Sequence, residues 1–162
     1  MGNTTGKDIP LSTITQSTLD LDKYAGVWYV IASTKQSHQE QCEQLVSFYI
    51  KLGEKLEITN YCIAGNEITE IVRGHAVVPD EKVPSKLEIS WDKLLFGRTG
   101  KYWIYDTDYT TYSIVGGGDK NTLWILSRTK AADASKVKTL LEKVKKIGYN
   151  VNNLLVYGGG IS

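Results

Sequence analysis

The feature that most constrains this chain is a succession of short segments rich in β-branched and aromatic residues, each closed off by Gly, Asn, Asp or Pro. They run over 23–34, 44–51, 54–62, 67–78, 86–91, 101–107, 110–115 and 122–129. Eight strands at short, regular spacing, joined by turns such as Leu52-Gly53 and Gly65-Asn66, predict an antiparallel meander in which each strand lies beside the next. A sheet of this kind exposes two unpaired edges unless it closes on itself, so the expected fold is all-β, an eight-stranded up-and-down barrel. A barrel of eight strands has an interior that side chains can fill or that can hold one small ligand.

The remaining segments fit around that barrel. Residues 1–20 are rich in Thr and Ser without a steady period and read as an N-terminal arm; 21–157 form the barrel and its helix, and 158–162 form a Gly-rich flexible tail. After Asp133, a good N-cap, the apolar positions Val137, Leu140, Leu141, Val144 and Ile147 recur every three or four residues up to Gly148, which predicts one C-terminal amphipathic helix. Its lysines resemble a membrane-binding face, but a solvated face of a helix packed on a sheet is the preferred reading. The run Leu154-Leu155-Val156-Tyr157 is a short final strand or extended segment.

Charge and composition exclude several functions. The 162 residues carry 19 Lys and Arg against 18 Asp and Glu, with no basic block, which argues against a nucleic-acid partner. Two Cys and two His cannot build a four-ligand zinc site, and no metal or cofactor is implied. No apolar run is long enough to span a membrane, and the first thirty residues lack a signal-peptide core, so the protein is cytoplasmic unless a leader was removed, in which case it is secreted or periplasmic. The opening Met1-Gly2 matches an N-myristoylation signal only in part, because Gly6 stands where Ser or Thr is needed. Ten Tyr and four Trp against two Phe suit a cavity that is apolar yet partly wet.

Three motifs sharpen the barrel reading. Gly26-Val27-Trp28 begins the first strand, Thr107-Asp108-Tyr109 lies between two strands, and Trp124-Ile125-Leu126-Ser127-Arg128-Thr129 ends the last strand before the helix. In order and spacing they resemble the three signature regions of the lipocalins, and the resemblance covers nearly the whole chain. Bacterial and apolipoprotein D-like members are the most similar, with some likeness to retinol-binding protein. The resemblance implies that Gly26, Trp28 and Arg128 form the barrel floor, with the guanidinium over the indole. It also implies a non-enzymatic carrier that transports or sequesters a fatty acid, lysophospholipid, retinoid, sterol or tetrapyrrole.

Strand alternation, taken with Trp28 and Arg128, assigns a cavity wall. Val46 and Phe48 are expected there from the second strand, and Ile58, Val72 and Ala76 from the next two. Ile89 and Trp91 follow, then Tyr102 and Ile104, then Tyr112 and Trp124. Asn60, Glu70 and Asp106 share the inward parity, and Asn60, Tyr102 and Tyr112 would offer neutral hydrogen bonds to a ligand head. One β-bulge would reverse every assignment beyond it.

Cys42 and Cys62 fall near one another across a hairpin, so they either bond locally or, as preferred, remain free thiols. Two further readings keep other residues in play. A lipocalin-fold isomerase would use Cys62 as nucleophile, and a haem- or bilin-binding protein would use His38 or His75, although His75 has outward parity. Association with a membrane surface or with a second copy of the chain also stays open.

Overall fold

In the computed structural model, residues 18–34, 42–92, 99–130 and 133–157 are described; the arm before residue 18, His38 and the tail from 158 lie outside them. Eight antiparallel strands close into a barrel: β1 (Gly26–Ser33), β2 (Gln44–Leu52), β3 (Lys55–Ala64), β4 (Glu67–Val77), β5 (Lys86–Trp91), β6 (Thr99–Thr107), β7 (Tyr112–Gly116) and β8 (Leu123–Ser127). Each strand pairs with its successor, and β1 closes the ring by pairing with both β2 and β8. Such closure removes both edges and satisfies their backbone groups. A two-residue strand, β9 (Leu155–Val156), pairs with Ala32 and Ser33, at the end of β1 beyond its ladder with β2.

Two helices flank the barrel. Residues 21–24, read from sequence as part of a first strand or its approach, form a single helical turn, α1 (Leu21–Tyr24). The turn forms because the Asp20 carboxylate accepts the Asp22 and Lys23 backbone N–H groups, a local N-cap that overrides the β-propensity of the flanking residues. The longer α2 (Ala134–Ile147) starts at Asp133, which accepts the Lys136 N–H at 2.8 Å, and stops at Gly148, whose φ of 124° suits glycine. Leu140 and Val144 of α2 pack with Ile31, Tyr105, Ile114, Leu123 and Ile125, covering the outer face of β1, β6, β7 and β8.

The apolar side chains therefore form two layers. One cluster fills the lower barrel around Trp28, Leu56, Ile58 and Ile104; the other lies between barrel and α2. Two bulges make this possible. The register slips between Val30 and Ala32 in β1 and between Ile104 and Asp106 in β6, so that Ala32 and Asp106 turn outward beside Ile31 and Tyr105 instead of following the inward parity of Val30 and Ile104.

Candidate functional site

The closed end of the barrel is where the three motifs meet. Arg128, one residue past β8, lies with its guanidinium 3.7 Å from the centre of the Trp28 ring. Its Nε donates to the Tyr109 carbonyl (2.8 Å) and Nη1 to that of Val27 (2.8 Å), while Nη2 reaches those of Lys23 (2.9 Å), Tyr24 (3.2 Å) and Ala25 (2.9 Å). Gly26 is needed because its φ is +108° and a Cβ there would come within 3.1 Å of Arg128 Nη1. Asp108 builds the opposing turn. Burial alone would raise its pKa, but the Thr111 hydroxyl and the N–H groups of Tyr112, Thr111 and Thr110 hold it below the usual carboxylate range. That turn presents the Tyr109 carbonyl to Arg128. The end so tied is a plug, since every donor of Arg128 named above is already used on a carbonyl.

Above the plug runs a line of hydroxyls. Ser113 Oγ lies 2.8 Å from the Tyr24 hydroxyl, which is 3.1 Å from that of Tyr102, which in turn is 2.6 Å from that of Tyr49. Beside Tyr49 on the same strand, Ser47 donates to Asn60 Oδ1 at 2.7 Å. Burial pushes the Tyr49 phenol up to about 12 and those of Tyr24 and Tyr102 further, so the row stays neutral.

The upper barrel encloses a cavity of about 280 Å³. Tyr49, Tyr102, Ser47 and Asn60 contribute its polar side; Val30, Leu45, Ile89, Leu126, Trp91 and Trp124 contribute its apolar walls. Trp91 lies flat against β4 because residue 74 is glycine, where a Cβ would meet its ring at 2.7 Å. Lys101 and Asp119, one of each sign, also line the cavity.

Of the residues assigned from sequence, Ile89, Trp91, Tyr102 and Trp124 are brought together around this space. Ile58, Ala76 and Ile104 face inward but are consumed in the packed core with Trp28. Val72 stands opposite Asn60 in the ladder, half-buried and off the cavity wall. Three assignments are corrected. In β2 the inward residues are Leu45, Ser47 and Tyr49, so Val46 and Phe48 point outward, and Phe48 is 42% exposed. The register that sets this is Trp28 opposite Ser47, a pairing that alternation within β2 alone does not reveal.

Tyr112 lies outside the barrel, and so does Asp106, which had shared the inward parity. The bulge after Ile104 turns Asp106 toward α2, where its Oδ2 accepts from the Tyr112 hydroxyl (2.8 Å) and from Lys143 (3.2 Å). Leu45, Ser47 and Tyr49 are wall residues that sequence reasoning missed through β2, and Val30, Leu126, Lys101 and Asp119 were missed as well.

The cysteines are also corrected. Cys42 and Cys62 form a disulfide, with Cα atoms 5.3 Å apart, because Cys42 sits just before β2 where Leu45 pairs with Cys62. With its sulfur bonded, Cys62 offers no thiolate for isomerase chemistry. His75 is on the outer face, opposite Glu57 and Ser90, and does not reach the cavity; no cluster of metal-ligating side chains occurs among the described residues.

Comparison with known proteins agrees with this geometry. The lipocalin-like domain family model matches residues 19–157. A putative lipocalin of Acanthamoeba polyphaga mimivirus is 32% identical over 149 residues, covering 88% of this chain and 86% of the relative. Temperature-induced lipocalin-1 of Arabidopsis thaliana is 27% identical, covering 84% and 77%. Among solved structures, apocrustacyanin C2 superposes with a TM-score of 0.76 at 22% identity over 96% of this chain and 89% of that one. Insecticyanin from the tobacco hornworm gives 0.71 at 18%, covering 96% and 88%. With the family model spanning the whole barrel and three signature motifs converging on one plugged end, the chain belongs to the lipocalin family.

Proposed function

We propose that this lipocalin carries or sequesters a compact, uncharged lipophile in the upper barrel, its hydroxyl or carbonyl end set toward Ser47, Asn60 and the tyrosine row. The observation that carries the reading is the make-up of the cavity: aliphatic and indole walls above a floor of neutral hydrogen-bonding groups. Burial drives binding, each CH₂ contributing roughly 0.8 kcal/mol, offset by the cost of ordering the ligand. A carboxylate placed toward that floor would lose its hydration without meeting Arg128, which is stacked on Trp28 and spent on carbonyls. The volume of about 280 Å³ lies just below the usual range of ligand pockets, about 300 to 1,000 Å³, and so favours a retinoid or a single-chain alcohol over a tetrapyrrole. A binding role fits the described cavity wall, which carries neutral hydroxyls, one amide and apolar side chains. The disulfide fits folding in an oxidising compartment, in line with a secreted or periplasmic location.

The test is quenching of Trp91 and Trp124 emission in titrations with retinol, a long-chain alcohol, the fatty acid of equal chain length at pH 8, and biliverdin. The alcohol and retinol should quench saturably, and the acid should bind at least tenfold more weakly than the alcohol. No saturable change with any of the four would remove the carrier reading; tighter binding of the acid would remove the uncharged-ligand part of it.

A further inference from the structure

The floor of the cavity holds more protons than it has acceptors to receive them. Ser113, Tyr24, Tyr102 and Tyr49 stand in one row of hydroxyls joined by three hydrogen bonds, of 2.8, 3.1 and 2.6 Å. Burial raises all three phenols, so each keeps its proton at neutral pH and the row holds one proton per hydroxyl. Each bond uses one proton, which leaves one over. The two ends of the row differ in where that proton can go. Ser113 and Tyr24 are wholly enclosed and do not line the cavity, and among the described residues neither hydroxyl meets an acceptor outside the row. A spare proton there would be a buried donor without a partner, which is costly. Tyr102 and Tyr49 do line the cavity. Donation therefore runs outward from Ser113 through Tyr24, and the surplus emerges at Tyr102 or Tyr49.

Asn60 adds to the same surplus. Ser47 gives its proton to Asn60 Oδ1, and among the described residues no acceptor takes the two protons of the Asn60 amide nitrogen, which belongs to a cavity residue that is only half-buried. Were Tyr49 to pass its proton to Ser47 Oγ, the excess would move along to this amide and stay on the cavity side. The lone pairs that remain on the floor belong to oxygens already held in these bonds.

We propose that the floor is a donor surface that selects its ligand by a hydrogen-bond acceptor, so that a lipophile ending in a carbonyl is preferred to the corresponding alcohol. The inference rests on the carrier reading above and narrows it. A carbonyl oxygen has two lone pairs and no proton, and can take from the tyrosine row and from Asn60 at once. A hydroxyl can also accept, but it brings a proton of its own to a floor already in excess, and that proton stays poorly met. The carboxylate bordering the cavity, Asp119, does not relieve this. It lies on the loop between β7 and β8 at the open end, away from the floor, and its Oδ1 accepts the Asn121 N–H.

The experiment is equilibrium dialysis of the full chain against a radiolabelled medium-chain methyl ketone, the secondary alcohol of the same skeleton and the parent alkane. The carbonyl band of the bound ketone is read beside it by isotope-edited infrared difference spectroscopy. The ketone should bind at least about fivefold more tightly than the alcohol, and its band should lie at lower wavenumber than in hexane. Tyr49→Phe/Tyr102→Phe removes the open end of the row, and Ser47→Ala/Asn60→Leu removes the amide with its partner. Each should reduce the preference for the ketone and move the band part of the way back toward its hexane position, with the melting temperature as the control for folding; the wild-type comparison stands without them. An alcohol bound as tightly as the ketone, or a band unmoved from hexane, overturns the inference and leaves the carrier reading intact. A ketone preference that survives both double variants also overturns it. No saturable binding of any of the three compounds removes the carrier reading and this inference with it.

Discussion

Arg128 offers the sharpest test of how the closed end is held. Replacing it with Ala removes a guanidinium stacked 3.7 Å over Trp28 and donors to five backbone carbonyls. A cation–π contact is worth about 1–2 kcal/mol when partly desolvated. A hydrogen bond from a charged donor contributes about 1.5–3 kcal/mol when buried, but several of these carbonyls can rehydrate once the side chain is gone. Discounting for that access, the loss is about 3–5 kcal/mol. For a chain of this size each kcal/mol moves the midpoint by about 2–4 °C, so Arg128→Ala should melt roughly 10–15 °C lower by circular dichroism. Water should also reach Trp28, shifting its emission to the red. Arg128→Lys keeps the charge but lacks the planar fork, cannot reach the Tyr109 carbonyl together with those of Lys23, Ala25 and Val27, and should restore less than half the loss. A melting point for Arg128→Ala within 3 °C of wild type would mean that α1 and the Asp108 turn hold the end without it, and the reasoning would fail.

Three further outcomes follow from other parts of the barrel. Reduction, or the double change Cys42→Ser/Cys62→Ser, opens a loop with a sequence separation of 20 and should cost about 3 kcal/mol, seen as a lower midpoint with dithiothreitol that the serine variant does not show again. The phenols of Tyr24, Tyr49 and Tyr102 are raised by burial, so the native state holds protons that the unfolded chain releases near its ordinary tyrosine value of about 10. Stability should therefore be full below pH 10 and fall as pH rises toward 12, with tyrosinate absorbance at 295 nm from these residues appearing only with loss of the near-ultraviolet dichroism. Asp106→Asn weakens the clip to Lys143 on α2; because both partners are part-exposed the loss should be only about 1 kcal/mol, read as faster amide exchange in α2 before the barrel.

Much of the architecture can be read from local signals, since strand propensity, turn residues and the Asp133 to Gly148 helix each depend on neighbours in sequence. The motifs are legible for the same reason at a longer range: Gly26, Trp28, Asp108 and Arg128 serve one backbone geometry and tolerate few alternatives. What does not show is set by pairs of strands. The slip after Ile104 in β6 inverts Asp106 and, with the pairing of β7, leaves Tyr112 outside; no residue in Tyr105-Asp106-Thr107 announces it. The disulfide hides likewise, because it depends on the register of Leu45 against Cys62.

The error in β2 has a different origin and says more about function. Alternation locates the interior by assuming that the more apolar set is the buried one, and in β2 the even set, Val46, Phe48 and Ile50, is the more apolar. The odd set, Leu45, Ser47 and Tyr49, is nevertheless inside, because Trp28 fixes the inward face of β1 and its partner is Ser47. A strand that only had to pack a core would bury Phe48 and expose Ser47. Reversing that order costs apolar burial on one side and places hydroxyls in a largely apolar space on the other. Inside, the hydroxyls find one another: Ser47 meets Asn60, and Tyr49 meets Tyr102. Outside, Phe48 and Ile50 stay 42% and 44% exposed, so the strand gives up their burial. The odd face of β2 thus gives up core packing for groups that suit a ligand's polar end. Exchanging Ser47 for Val would test the link. It should fill the inner face with an apolar group and lower affinity for an alcohol relative to an alkane of equal length, with the melting temperature kept within a few degrees; an unchanged preference for the alcohol would refute the link.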